Sequence, residues 1–149
     1  MLRASLRAVV LLAACAVSRA ERLPIVTYSV EDGLPSDGVR AIVRDSRGYL
    51  WIGHSRFLSR FDGRRFVAYG PEQGLPDGPI HDILETHDGT CLLAGNAGIL
   101  RLVPGNPVAL FTPLDIEGEP PRAVVDLLED RDGRVWAATD SGLFVLERS

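Results

Sequence analysis

Residues 33–61 read GLPSDGVRAIVRDSRGYLWIGHSRFLSRF, and the landmarks of this stretch return twice further along the chain. Gly33, Gly74 and Gly118 correspond, as do Pro35, Pro76 and Pro120. Behind them come Val39, Ile80 and Val124, then Gly48, Gly89 and Gly133, then Trp51, Leu92 and Trp136. The units start 41 and 44 residues apart, and the step between the two glycines of each unit stays at 15 residues. A period of about 40–45 residues with strand-like content marks propeller blades or a similar array of repeated sheets.

Within the first unit the strands and turns follow from composition. Val39 to Arg44 is one apolar-rich run, turned by Asp45-Ser46-Arg47-Gly48, and Tyr49 to Gly53 is rich in aromatic and β-branched residues. A turn at His54 to Arg56 leads to Leu58 to Phe61, and Asp62-Gly63 is a hairpin signal before Arg65 to Tyr69. Four short antiparallel strands of this kind make one blade. The second unit repeats the plan with Ile80 to Glu85, Cys91 to Ala94 and Ile99 to Leu102. The third does so with Val124 to Glu129, Val135 to Thr139 and Leu143 to Leu146. The predicted fold is therefore all-β: a partial propeller of about three four-stranded antiparallel blades in an open ring, over 25–69, 74–111 and 118–149.

Blades pack face to face, so Trp51, Leu92 and Trp136 are expected to fill the layers between them, and a leucine in place of tryptophan suits packing better than a stacking site. Gly98 and Gly142 fall where the turn calls for positive φ, which glycine reaches without steric cost. Phe57 holds that position in the first unit. Ile25 to Tyr28 matches Phe66 to Tyr69 in its distance from the next glycine, which predicts an outermost strand without a blade of its own. A closed ring needs about four to eight blades. Three blades leave two faces uncovered, with Trp136 and Phe144 in want of a partner, which points to further blades of a longer chain or to self-association.

Residues 1–20 stand outside the repeat. Arg3 and Arg7 precede an uncharged run from Ala8 to Val17, and Ser18-Arg19-Ala20 ends it in a small-x-small pattern, so this is read as a signal peptide cleaved before Glu21. The run is shorter than the roughly 20 apolar residues that span a bilayer. Leu12-Ala13-Ala14-Cys15 offers a second reading, a lipobox with Cys15 as the lipidated residue. Either way the chain is exported, and a periplasmic location is expected.

All 16 basic residues are arginine, and without Arg3, Arg7 and Arg19 the mature chain has 13 of them against 20 acids, a net charge of −7. An acidic chain with no basic cluster is not a nucleic-acid partner, because that binding rests on neutralising phosphates. Cys91 is the single cysteine beyond the signal region, and between Thr90 and Leu92 it reads as a small buried hydrophobe.

The strings YSVEDGLP (28–35), YLWIG with LSRFDG (49–53 and 58–63) and YGPEQGLP (69–76) resemble the two-component regulator propeller repeat. The resemblance runs over 25–146, with departures at Leu92 and Ala94 in the second unit and at Glu119, Ala137 and Val145 in the third. It implies the periplasmic sensor region of a bacterial histidine kinase, hybrid kinase or diguanylate cyclase. An extracellular small molecule, often a glycan fragment, is then the implied ligand. Output is implied to lie in a membrane helix and cytoplasmic domain, neither of which this chain contains.

Antiparallel strands place the loops before each first strand (32–38 and 72–79) on one face with the turns between second and third strands. Loops of that kind are where scaffolds bind. The candidate contact residues are Asp37, His54, Arg56, Asp77, Asn96 and Asp140, with His54 and Arg56 singled out because they depart from the repeat. An enzyme reading finds no convergent groups. His54, His81 and His87 lack metal-site spacing, Asp82 and Asp126 correspond across units as structural residues do, and neither a nucleophile elbow nor a phosphate loop is present. No catalytic residue, metal or cofactor is predicted. The function expected is non-catalytic ligand sensing; a secreted adhesin or interaction module is the alternative, and a propeller lyase fragment a more distant one.

Overall fold

A computed structural model of the chain describes residues 23–104 and 110–147; the signal-peptide and Cys15 readings lie outside the described residues. Three antiparallel sheets follow one another along the chain. Blade 1 orders β1 (Val39–Arg44), β2 (Leu50–His54), β3 (Leu58–Phe61) and β4 (Phe66–Tyr69). Blade 2 orders β5 (Ile80–Glu85), β6 (Cys91–Gly95), β7 (Gly98–Leu102) and β8 (Phe111–Pro113). Blade 3 has β9 (Val124–Glu129), β10 (Val135–Thr139) and β11 (Gly142–Leu146) among the described residues. The all-β reading with three blades therefore holds, and blade 2 runs to Pro113, past the expected end at 111.

One expected strand is absent. Ile25 to Tyr28 has no ladder partner, and Ile25 and Val26 are 91% and 72% exposed. A strand exists only as part of a ladder, and this segment pairs with no strand among the described residues. What it does supply is Tyr28, whose ring meets Phe61 and Phe66 at 5.5 and 5.6 Å on the far side of blade 1.

The core sits in two seams between blades. Trp51 and Leu58 of blade 1 meet Leu75, Ile80, Ile83, Cys91, Leu93, Leu100 and Phe111 in the first. Leu92, Ala94 and Ile99 meet Val124, Leu127, Val135 and Ala137 in the second. Neighbours Leu92 and Leu93 thus serve opposite seams, as the two-residue period of a strand requires. All of β6 is buried because it has a blade on either side, whereas β11 is half open. Trp51 and Leu92 fill seams as expected. Trp136, by contrast, is half-buried on the uncovered side of blade 3, between its register partners Leu128 (62% exposed) and Val145 (41%).

The tryptophans are tied down by carboxylates six residues earlier. Asp45 Oδ2 accepts the Trp51 indole N–H at 2.9 Å while Oδ1 accepts the turn amides of Arg47 and Tyr49. Asp130 repeats this with Trp136 at 2.8 Å and with the amides of Asp132 and Arg134. In blade 2 both members change together: Leu92 has no N–H to satisfy, and the aspartate position is Thr86. The indole, followed by Arg134 and the turn amides, holds the Asp130 carboxyl down to about 2.

Polar contacts also cross the seams. At the end of each later blade's inner strand a glutamate reaches the preceding blade's turn: Glu85 accepts from Ser46 N at 2.5 Å and Ser46 Oγ at 2.8 Å. Glu129 accepts from His87 N at 2.6 Å and also meets His87 Nδ1. Asp82 Oδ2 accepts the Leu127 N–H of blade 3 at 2.8 Å. Burial raises the Asp82 pKa, the Leu127 and Ile83 amides work against this, and the neighbouring Asp126 charge adds to it. This is the structural use expected of the Asp82–Asp126 correspondence.

Candidate functional site

Each inner strand begins with a β-bulge. Pairing slips between Val39 and Ala41 and between Ile80 and Asp82, and β9 skips from Val124 to Asp126. The extra residues are Arg40, His81 and Val125. A bulge re-aims a side chain out of the regular pleat, and two of these three reach the neighbouring turn between second and third strands. Arg40 Nε donates to Ser55 Oγ at 3.1 Å, and His81 Nε2 lies 3.0 Å from Asn96 Oδ1.

Arg56, in the same turn as Ser55, crosses to the loop before blade 2 and pairs with Asp77 at 3.0 Å, both side chains some 70% exposed (69% and 71%). Asn96 O accepts the Ala123 N–H on the way into blade 3, where Ala123 has φ of 48°. Three polar pairs, Arg40–Ser55, Arg56–Asp77 and His81–Asn96, therefore line this rim of blades 1 and 2. Surface ion pairs of this kind contribute about 0–1 kcal/mol, so the Arg56–Asp77 pair sets position more than stability.

The six sequence candidates divide. Arg56, Asp77 and Asn96 join the rim. Asp37 holds its own loop, its Oδ1 accepting the Val30 N–H at 2.9 Å beside the 3₁₀ turn Val30–Asp32. Asp140 is exposed at the blade 3 turn and has no hydrogen bond among the described residues. His54 is the last residue of β2 rather than the first of the turn, and it is fully buried with Nε2 2.9 Å from Ser59 Oγ. Its Nδ1 has no hydrogen-bond partner among the described residues, and burial lowers its pKa, opposed by the backbone of Gly38 and Ser36. Such a group is a core histidine under the 34–38 loop, not a rim ligand.

Arg40 and His81 escaped sequence reasoning. The available signal was their place: one residue after a fixed apolar landmark, the three units carry arginine, histidine and valine. The Phe57 departure is resolved. The turn it closes keeps the two-residue form, with His54 N donating to Phe57 O, but lacks the positive φ of Gly98 (105°) and Gly142 (148°).

Two clefts open elsewhere, in the seams, with volumes of about 220 Å³ beside Tyr49, Trp51 and Arg60 and about 700 Å³ beside Arg101 and Leu146. Arg60 lies 4.5 Å over the Tyr49 ring. Cys91 is buried near the first cleft, and burial, then Glu85 and Asp45, pushes its thiol up to about 12, beyond nucleophilic use. Among the described residues no three His, Cys, Asp or Glu side chains converge to hold a metal ion, and no helix is long and apolar enough to cross a membrane.

Residues 33–56 and 118–141 match the family described as Two component regulator propeller. These are the first and third units, the two that carry the aspartate–tryptophan pair. Among solved structures, the extracellular domain ascribed to a hybrid two component system of B. thetaiotaomicron is 25% identical with a TM-score of 0.70 over 83% of this chain. A second such domain from B. thetaiotaomicron is 26% identical with a TM-score of 0.60 over 72%. This chain spans 17% and 15% of those two proteins' lengths. No curated protein matches it.

Proposed function

We propose that a chain carrying two-component regulator propeller repeats, and shaped like a stretch of extracellular sensor domains, is itself part of an exported, non-catalytic signal-input propeller. On this reading it binds an extracellular small molecule or glycan fragment on the rim, and the signal passes to an output unit that these repeats do not themselves provide. The observation that carries the proposal is the placing of the bulge residues Arg40 and His81 against Ser55 and Asn96 of the adjoining turns, with the Arg56–Asp77 pair beside them. These side chains offer hydrogen-bond donors and acceptors, are paired with one another, and lie on bulges and loops outside the two seams. A few placed polar groups of this kind fix the orientation and specificity of small ligands.

Isothermal titration of the exported chain against oligosaccharides, neutral and uronic-acid types separately, tests this. Binding is expected to weaken at least tenfold in Arg40→Ala and His81→Ala, with unchanged thermal stability. Binding that survives both changes, or that is lost instead with changes at the Arg60 cleft, would overturn the rim assignment. A fractionation showing the chain in the cytoplasm would overturn the sensor reading as a whole.

A further inference from the structure

We propose that the uncovered side of blade 3 is a docking surface for one further blade of the same repeat, recognised through a glutamate at the end of that blade's inner strand. The inference rests on the propeller reading above but not on any ligand.

Both described seams use the same latch. The carboxylate of Glu85 or Glu129 takes the backbone N–H of the residue after the turn's first position, and its second oxygen meets that residue's side chain, a hydroxyl in Ser46 and an imidazole in His87. Arg131 is the third member of this series. It follows Asp130 as Ser46 follows Asp45, its N–H has no partner among the described residues, and its guanidinium is again a donor, one suited to a carboxylate. Around it the apolar half of a seam is already in place: Trp136 beside Leu128 and Val145, with Leu143 next to them, all substantially exposed save the half-buried indole. Asp126 repeats Asp82, whose carboxylate takes the inner-strand amide of the following blade.

A second copy of this chain does not complete the latch. Its first blade carries Arg44 where Glu85 and Glu129 stand, which would set arginine against Arg131, and Tyr28 lies over Phe61 and Phe66 on that blade's free side. Charge therefore selects a glutamate-bearing blade over a copy of blade 1.

The test extends the full chain after Leu146 with a repeat of residues 62–102, which supplies an outermost strand, a blade and a second Glu85 but no tryptophan. Amide exchange at Arg131 is expected to slow about ten- to a hundredfold, the range for a hydrogen bond to a charged group, and Trp136 to lose its access to acrylamide. Changing only the appended glutamate to glutamine or arginine is expected to return Arg131 to its exchange rate in the native chain.

Three results overturn the proposal. In one, Trp136 is covered while Arg131 exchange is indifferent to the appended glutamate. In another, the native chain shows concentration-dependent protection of Arg131, which makes a second copy the occupant. In the third, Trp136 stays exposed both in this extension and in one built from residues 103–146 with the added tryptophan changed to phenylalanine. No ligand enters any of these measurements, so failure of rim binding and failure of docking are read separately.

Discussion

The aspartate–tryptophan tie makes a sharp prediction. In Asp45→Asn the amide oxygen still caps the turn through the amides of Arg47 and Tyr49, but the amide NH₂ now faces the Trp51 indole N–H, donor against donor. A partly buried donor left without its charged acceptor costs about 1.5–3 kcal/mol. Trp51→Phe removes the N–H and some volume from a residue that is 5% exposed and 5.7 Å from Tyr69, a change of about 1–2 kcal/mol. If the tie is the reason both residues occur together, the double variant escapes most of the asparagine penalty. The coupling is then about 1–2 kcal/mol, well above the ~0.5 kcal/mol within which independent changes add. Urea unfolding followed by far-ultraviolet circular dichroism measures all four corners of the cycle, and equal m-values license the comparison. Additive effects would refute the account of why blade 2 exchanges both residues at once.

Three other outcomes are expected. A Cβ on Gly95 would stand 2.5 Å from the Pro79 carbonyl oxygen, whereas one on Gly89 (φ 82°) meets nothing within 4 Å. Gly95→Ala should therefore lower stability by about 2–4 kcal/mol and Gly89→Ala by about 1–2 kcal/mol; equal shifts in thermal midpoint would contradict the close approach. The depressed Asp130 pKa means its contribution is present above the unfolded value of 3.8 and is lost as pH falls toward 2. Asp130→Asn should be less stable than the native chain at neutral pH, with the gap closing across that window in pH-dependent melting. His54, depressed below 6.5, contributes stability above that pH and loses it as pH falls through its folded value. The acid-side slope between pH 7 and 5 should flatten in His54→Gln, and an unchanged slope would place the titration elsewhere.

Much of the fold was legible because the repeat recurs in residues whose roles are physical. Glycines at turns, the Trp51–Leu92–Trp136 series and the apolar starts of the inner strands all report seams or hairpins directly. What escaped was whatever depends on a partner outside the repeat. Ile25 to Tyr28 keeps the phase of an outermost strand, yet phase does not create an edge to pair with. The three-residue strand β8 (Phe111–Pro113) ends in proline and carries little of the alternation by which strands are recognised. At the rim, His54 looked like a turn residue because it departs from the repeat, and it does so as a buried partner of Ser59 instead. Arg40 and His81 stayed hidden because a bulge is a slip in pairing, and a single chain read in order has no pairing to slip.

Those bulges also separate what this scaffold must keep from what it is free to change. One residue per unit is lifted out of the pleat at the same place each time, and arginine, histidine and valine occupy it in turn while the adjoining Ala41, Asp82 and Asp126 keep their ladder register. Substitution there alters the chemistry presented to solvent and leaves the seams unaltered. A stack built in this way can change the chemistry of its rim one blade at a time while its ladders stay in register.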